Sequence, residues 1–171
     1  LVGSEMCIRD SGETPELIAQ GLVSYQASGM RQNIYEQDGY QIYADCYNAS
    51  PDAMEATLSV LGGMAGEGRR FAVLGSMLEL GDYAEEGHRR AGRAAAQYAD
   101  ALYAYGPDAA AMVAGAREKG MEHAYAFDDQ TALVAALRED AKKGDALLFK
   151  GSRGMRMERA LAMFLGEEVE A

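Results

Sequence analysis

Only two cysteines occur in the 171 residues, Cys7 and Cys46, too few for a disulfide framework, so a reducing compartment is the default. No apolar run is long enough to span a bilayer. Basic residues are scarce, 16 against 27 acidic ones, for a formal net charge of −11. That balance argues against a nucleic-acid surface, whose affinity comes mainly from phosphate neutralisation. It is also the ordinary signature of a soluble cytoplasmic bacterial protein. The two histidines, His88 and His123, have no partner at metal-ligand spacing, so no metal site is expected on this chain. No Gly-x-x-x-x-Gly-Lys-[Ser/Thr] phosphate loop occurs, so a triphosphate would lack its main holding device here. No internal repeat or low-complexity segment is visible.

What is present is enough for a real core: 49% of the residues are hydrophobic. Leu1–Asp10 lacks the basic-then-apolar layout of a signal peptide and has no clear period. It reads as a non-native leader, and the chain as a fragment. Thr14-Pro15-Glu16 opens a short helix, with Thr14 as cap, that stops near Ser28-Gly29. Two strands follow, Gln32 to Glu36 and Tyr40 to Ala44, joined by Gln37-Asp38-Gly39, a strong hairpin signal.

Strand then alternates with helix. A helix over Pro51–Met64 leads to the strand Phe71–Leu74, a long helix from about Asp82 to Ala99, and the strand Ala101–Tyr105. A helix from about Asp108 to Lys119, the strand Ala124–Phe127, and a helix from Gln130 to Lys142 come next. The strand Ala146–Phe149 and a helix from about Arg153 to Leu165 end the series. The strands are short and apolar, as in parallel strands buried on both faces. The pattern predicts a doubly wound α/β domain of about 140 residues, mostly parallel, with an N-terminal hairpin.

In such a sheet the loops leaving the parallel strands share one side, where ligands bind. Three of them carry polar or glycine-rich content. Loop one, Asp45-Cys46-Tyr47-Asn48-Ala49-Ser50, places an acid, a ring and a carboxamide before a helix that Ser50 can cap and Pro51 can open. Asp45, Tyr47 and Asn48 can hold a ribose or a base, or Asp45 and Asn48 can simply satisfy turn backbone. Loop two, Gly75-Ser76-Met77-Leu78-Glu79-Leu80-Gly81, holds one acid, Glu79, which either accepts from a ligand or faces water. Asp82 and Glu85 read as a capping arrangement.

Loop three, Lys150-Gly151-Ser152-Arg153-Gly154-Met155-Arg156, sets positive charges beside glycines and a helix start, which attracts anions. A glycine-permitted turn with solvated basic side chains is the other reading. The exits near Gly106-Pro107 and Asp128-Asp129 read as plain turns and caps. Gly63 to Gly68 reads as a flexible connector, and Cys46 as a small apolar packing residue.

Taken together, three motifs in order resemble the carboxy-terminal domain of the Mur ligases: Asp45 to Met54, Val73 to Gly81 with His88 following, and Lys150-Gly151-Ser152-Arg153 with Met157-Glu158. The resemblance covers about residues 12 to 166 and is nearest to the type that joins D-alanyl-D-alanine to UDP-N-acetylmuramoyl-tripeptide in peptidoglycan synthesis. It implies a Rossmann-like domain, here residues 30–171, with 11–29 as the end of a central ATPase domain. It also implies an ATP-dependent amide ligase using Mg2+, both held mainly by that central domain. In that reaction an acyl phosphate forms on the tripeptide, and the amine of the dipeptide attacks it.

The resemblance sets Asp45, Tyr47 and Asn48 at the ATP ribose and base. It sets Lys150, Ser152 and Arg153 at the acceptor dipeptide or the phosphate. Glu79 and His88 become loop-two support or acceptor-side contacts. The chain departs from the family pattern at Ala44, Ser50, Ala53 and Ser76, where an acid, Asn, Ser and Asp are usual. A fragment without the phosphate loop is expected to ligate nothing alone. Another Mur-type ligase, or a stand-alone nucleotide-binding or interaction module, are the alternatives.

Overall fold

In the computed structural model the described residues are 12–14, 16–18, 20, 32–64 and 66–167. The expected leader lies outside them, as does most of the segment assigned to a neighbouring domain. Of the first helix, Glu16 to Ile18 are helical, and Thr14 caps them by accepting from the Leu17 amide at 3.4 Å. Six strands follow: β1 (Asn33–Gln37), β2 (Tyr40–Asp45), β3 (Arg70–Gly75), β4 (Ala101–Tyr105), β5 (Ala124–Phe127) and β6 (Ala146–Lys150). Five helices connect or follow them: α1 (Pro51–Met64), α2 (Ala84–Tyr98), α3 (Ala109–Glu118), α4 (Gln130–Asp140) and α5 (Met157–Leu165).

The sheet order is β1-β2-β6-β3-β4-β5, with β1 antiparallel to β2 and every other pair parallel. Asp38 and Gly39 both take positive φ in the hairpin turn, the geometry whose twist matches the flanking strands. From β2 to β5 the chain steps in one direction across the sheet, and it steps back from β5 to β6. Right-handed crossovers therefore place α1, α2 and α3 on one face and α4 on the other, where α5 joins it.

The two cores agree with this. Met54, Leu58, Leu61, Ala95 and Met112 pack on Leu74, Leu102 and Leu148. Leu133, Leu137, Met157, Leu161 and Phe164 pack on Phe71, Val73 and Phe149. Alternate residues of one strand feed opposite cores, so the central strands must be apolar throughout. The expected doubly wound, mostly parallel Rossmann-like sheet is present.

Three expectations are corrected. The long helix does not start at Asp82: Gly81–Tyr83 form a 3-10 turn, and α2 has no side-chain cap. Backbone bonds already satisfy that turn, and Glu85 pairs instead with Arg89 one helical turn on. The final helix does not start at Arg153 either. Arg153–Met155 form a 3-10 turn, and Arg156 stands in the left-handed region at φ 48° before α5 begins. Gln130 holds that break by donating to the Met155 and Arg156 carbonyls at 2.9 and 3.2 Å. Finally, the glycine-rich connector is pinned at its far end. A Cβ on Gly68 would lie 2.1 Å from the Gly144 carbonyl oxygen, and the Arg69 amide donates to Asp145 at 2.8 Å.

Candidate functional site

The sheet order brings the three polar loops onto consecutive strands: loop one leaves β2, loop three leaves β6 and loop two leaves β3. Loop three is thus the middle of the group. Asp45 and Lys150 are register partners at the ends of β2 and β6, and Leu74 of β3 pairs with Lys150 from the other side.

Lys150 is 1% exposed, and its ammonium donates to Asp45 Oδ2 at 2.5 Å and to the Asn48 carbonyl at 2.8 Å. A buried ammonium needs such partners, because desolvating an unpaired charge costs far more than these bonds return. The pair ties the end of β6 to loop one from below. The other Asp45 oxygen accepts from the Gln32 amide at 3.4 Å. The Asn48 side chain accepts from the Ala49 amide at 2.9 Å, and Ser50 caps α1 through the Ala53 amide at 3.3 Å. Above this frame Tyr47 is 46% exposed. The Arg153 guanidinium lies over the Tyr47 ring, 5.9 Å from its centroid.

Loop two is held from two sides. His88 on α2 is fully buried, with Nδ1 2.6 Å from the Ala84 carbonyl and Nε2 2.8 Å from the Met77 amide nitrogen. A carbonyl can only accept, so Nδ1 carries the proton and Nε2 accepts from Met77. Ser152 accepts from the Leu78 amide at 2.9 Å, while its own amide donates to the Ser76 carbonyl at 3.3 Å. Loops two and three therefore interlock. The Ser152 hydroxyl and the His88 ring serve as struts, and loop support is the role His88's geometry carries. Glu79, at φ +67°, is exposed at the tip.

Glycines at the base of loops two and three serve close approach. A Cβ on Gly75 would lie 2.8 Å from Met157 Sδ, and one on Gly151 would lie 2.8 Å from Met157 Cγ and 3.1 Å from Gly75 Cα. The left-handed Arg156 also separates α5 from Lys150-Gly151-Ser152, so that loop does not feed directly into a helix N-terminus.

Sequence reasoning missed Asp108. The exit from β4, read as a plain turn, donates the Asp108 amide to Ser76 Oγ at 3.1 Å and sets the Asp108 carboxylate 3.7 Å from His88 Nε2. Ser76 thus braces the neighbouring strand exit. No local signal marks this contact, because it joins strands whose pairing the sequence does not state. The Asp128-Asp129 exit is the expected cap, Asp129 accepting from the Ala132 amide at 2.7 Å. Cys46 is fully buried, its thiol donating to the Phe149 carbonyl at 3.4 Å, and burial pushes its pKa up to about 12. It is a packing residue.

The eight candidates sort into two tiers. Asp45, Lys150, Ser152 and His88 are buried and joined to the loops, while Tyr47, Asn48, Arg153 and Glu79 face outward. Two grooves, of about 530 and 470 Å³, flank β5, one lined by Tyr103, Tyr125 and Asp140, the other by Val113, Arg117 and Phe127, and neither includes a residue of the three loops. Among the described residues no three His, Cys, Asp or Glu side chains cluster as a metal site, and no helix is long and apolar enough to cross a membrane.

Fold and site together define a doubly wound α/β domain whose three polar loops lie together at the carboxyl ends of three adjacent strands, the side where ligands bind in such folds. Residues 30–153 match the family model described as Mur ligase, glutamate ligase domain. The UDP-N-acetylmuramoyl-tripeptide–D-alanyl-D-alanine ligase of Bacillus subtilis is 37% identical over 150 residues, which cover 86% of this chain and 33% of that protein. The ligase of the same name from Treponema pallidum is 39% identical over 119 residues, 67% of this chain and 25% of that one. The crystal structure of a MurF ligase from Thermotoga maritima in complex with ADP superposes with a TM-score of 0.79 at 32% identity, over 97% of this chain and 37% of that one. The chain belongs to the Mur ligase family. It spans between a quarter and a third of the length of these curated relatives.

Proposed function

We propose that this chain is the carboxy-terminal part of an ATP-dependent amide ligase that joins D-alanyl-D-alanine to UDP-N-acetylmuramoyl-tripeptide in bacterial, cytoplasmic peptidoglycan synthesis. The names of the relatives support the substrates, and the ADP complex of the Thermotoga maritima structure supports the nucleotide. The observation that carries the reading is the outward tier of Tyr47, Asn48 and Arg153 held over the buried Asp45–Lys150 pair.

The residues fit the nucleoside half of ATP. Tyr47 offers a ring face for the base, and Asn48 a polar group beside it. Asp45 keeps acceptor capacity for a ribose hydroxyl, since a carboxylate has about four lone-pair sites and two donors occupy them here. The residues do not fit Mg2+ or the triphosphate by themselves, and both belong to the central domain of the complete protein. A site shared between domains presents a half-surface on each.

Arg153, with Arg156 beside it, supplies positive charge at this surface for the anionic acyl phosphate or the dipeptide carboxylate, with Glu79 on the acceptor side. Closure of this domain onto the central one excludes water from the acyl phosphate while the dipeptide amine attacks. Buried Ser152, Lys150 and His88 keep the three loops in register for that closure.

The test is phosphate release by the complete ligase with UDP-N-acetylmuramoyl-tripeptide, ATP and candidate acceptors. Turnover is expected with D-alanyl-D-alanine, with Tyr47→Ala raising the KM for ATP about tenfold, the loss of one stacking contact. The present chain alone should release none. Turnover with a single amino acid in place of the dipeptide would overturn the assignment.

A further inference from the structure

Glu158 lies in the first turn of α5, and none of the roles above uses it. Its two carboxylate oxygens have different surroundings. Oε1 is 3.4 Å from Arg153 Nη1, whereas Oε2 is buried with no hydrogen-bond partner among the described residues. A buried acceptor left without a donor is costly, so such an atom marks a place where a donor arrives.

Arg153 is the adjacent group that can supply one. Its side chain is 64% exposed, and its contact with the Tyr47 ring, at 5.9 Å, is at the outer limit for a cation over an aromatic face. A guanidinium presents a planar fork that matches both oxygens of a carboxylate. Here it makes one long contact with Glu158 and one long contact with the ring. Arg153 thus stands between two partners and fully engages neither.

We propose that Glu158 is a positioning residue that receives Arg153 as a two-point fork when a nucleobase takes the face of Tyr47 that Arg153 now covers. The inference rests on the reading that Tyr47 stacks the base of ATP. Movement of the exposed guanidinium off the ring and onto the end of the carboxylate gives both oxygens a donor, the unpaired Oε2 included. The exchange replaces a long ring contact by a charge-assisted pair and takes Arg153 off the stacking face.

Steady-state kinetics of the complete ligase test this with Glu158→Gln, Glu158→Asp, Arg153→Ala, the Arg153→Ala/Glu158→Gln double variant and Tyr47→Ala. Glu158→Gln should raise the KM for ATP about three- to fivefold, the worth of an exposed cation–π contact that now stays in place. The kcat and the KM for D-alanyl-D-alanine should not change, and Glu158→Asp should restore part of the loss. Arg153→Ala should lower kcat or raise the KM for D-alanyl-D-alanine, through the charge it supplies there, but should leave the KM for ATP at or below the wild-type value, and adding Glu158→Gln to it should not change that KM further. An equal rise in the KM for ATP with and without Arg153, such a rise in Arg153→Ala itself, or a lowered thermal midpoint with that KM unchanged would each overturn the proposal. An unchanged KM in Tyr47→Ala would instead sink the stacking reading on which it rests.

Discussion

Asp45 and Lys150 stand 105 residues apart in the chain and directly opposite one another in the sheet, joined by a 2.5 Å ion pair whose side chains are 10% and 2% exposed. Removing one partner leaves the other charge buried. Lys150→Met is therefore expected to cost about 3 kcal/mol, and Asp45→Asn/Lys150→Met less than Lys150→Met alone. Urea denaturation of the four chains measures the coupling. Additive losses would mean that the pair contributes nothing as a pair.

Loops two and three meet where neither has a side chain. Gly151→Ala should cost about 1–3 kcal/mol by overpacking, because its Cβ would meet Met157 and the Gly75 backbone. Adding Met157→Ala to that variant makes room, so the two changes together should be less harmful than their sum. Thermal denaturation of the two single variants and the double decides it, and strict additivity would contradict the close approach.

The sequence made the elements legible but not their adjacency. Buried strands such as Phe71–Leu74 declare themselves by short apolar runs, and α1 was recognisable to the residue because Ser50-Pro51 starts it by simple chemistry. The left-handed Arg156 was not legible, since an arginine carries no preference for that conformation; Gln130, on another helix, holds it there. Loop three was expected to bind through Lys150, Ser152 and Arg153 alike. Only the strand order shows that β6 lies between β2 and β3, where Lys150 meets Asp45 and Ser152 meets the Leu78 amide as buried struts while Arg153 stays outside.

His88 accepts the Met77 amide in the dry interior. His88→Leu strands that N–H and should cost about 1–3 kcal/mol. Hydrogen exchange at the Met77 amide should quicken by more than at the sheet amides of β3, because loop two opens before the sheet does. Uniform quickening across both would show that His88 supports the whole domain rather than the loop.

Acid should unfold the domain through two arginine-held carboxylates. The Arg70 guanidinium forks onto Asp100 at 2.9 and 3.1 Å, and Arg69 donates to Asp140 at 2.7 Å, and each bond holds its carboxyl below the usual aspartate value. As pH falls, the unfolded chain takes up these protons first, at about pH 4. The stability they confer is thus complete above that value and is lost as pH drops through the lower native ones. Urea midpoints measured from about pH 6 to about pH 2 should fall in wild type and flatten in Asp100→Asn/Asp140→Asn. An unchanged slope would remove these two residues from the acid transition.

The strand that fills the middle of the sheet is, among the described strands, the last in the chain. β2 and β3 do not bond to each other; each bonds to β6. A nascent chain short of residue 146 can hold the β1–β2 hairpin and the β3–β4–β5 ribbon, but these remain two separate pieces with an open slot between them. Such long-range closure is slow and leaves strand edges exposed while it waits. Lys150 enters the slot with β6, so the bond that sets loop one forms in the same event that joins the halves. The domain therefore has no assembled sheet without the Asp45–Lys150 bond, and quality control that senses open strand edges would also be sensing whether the three polar loops are in place.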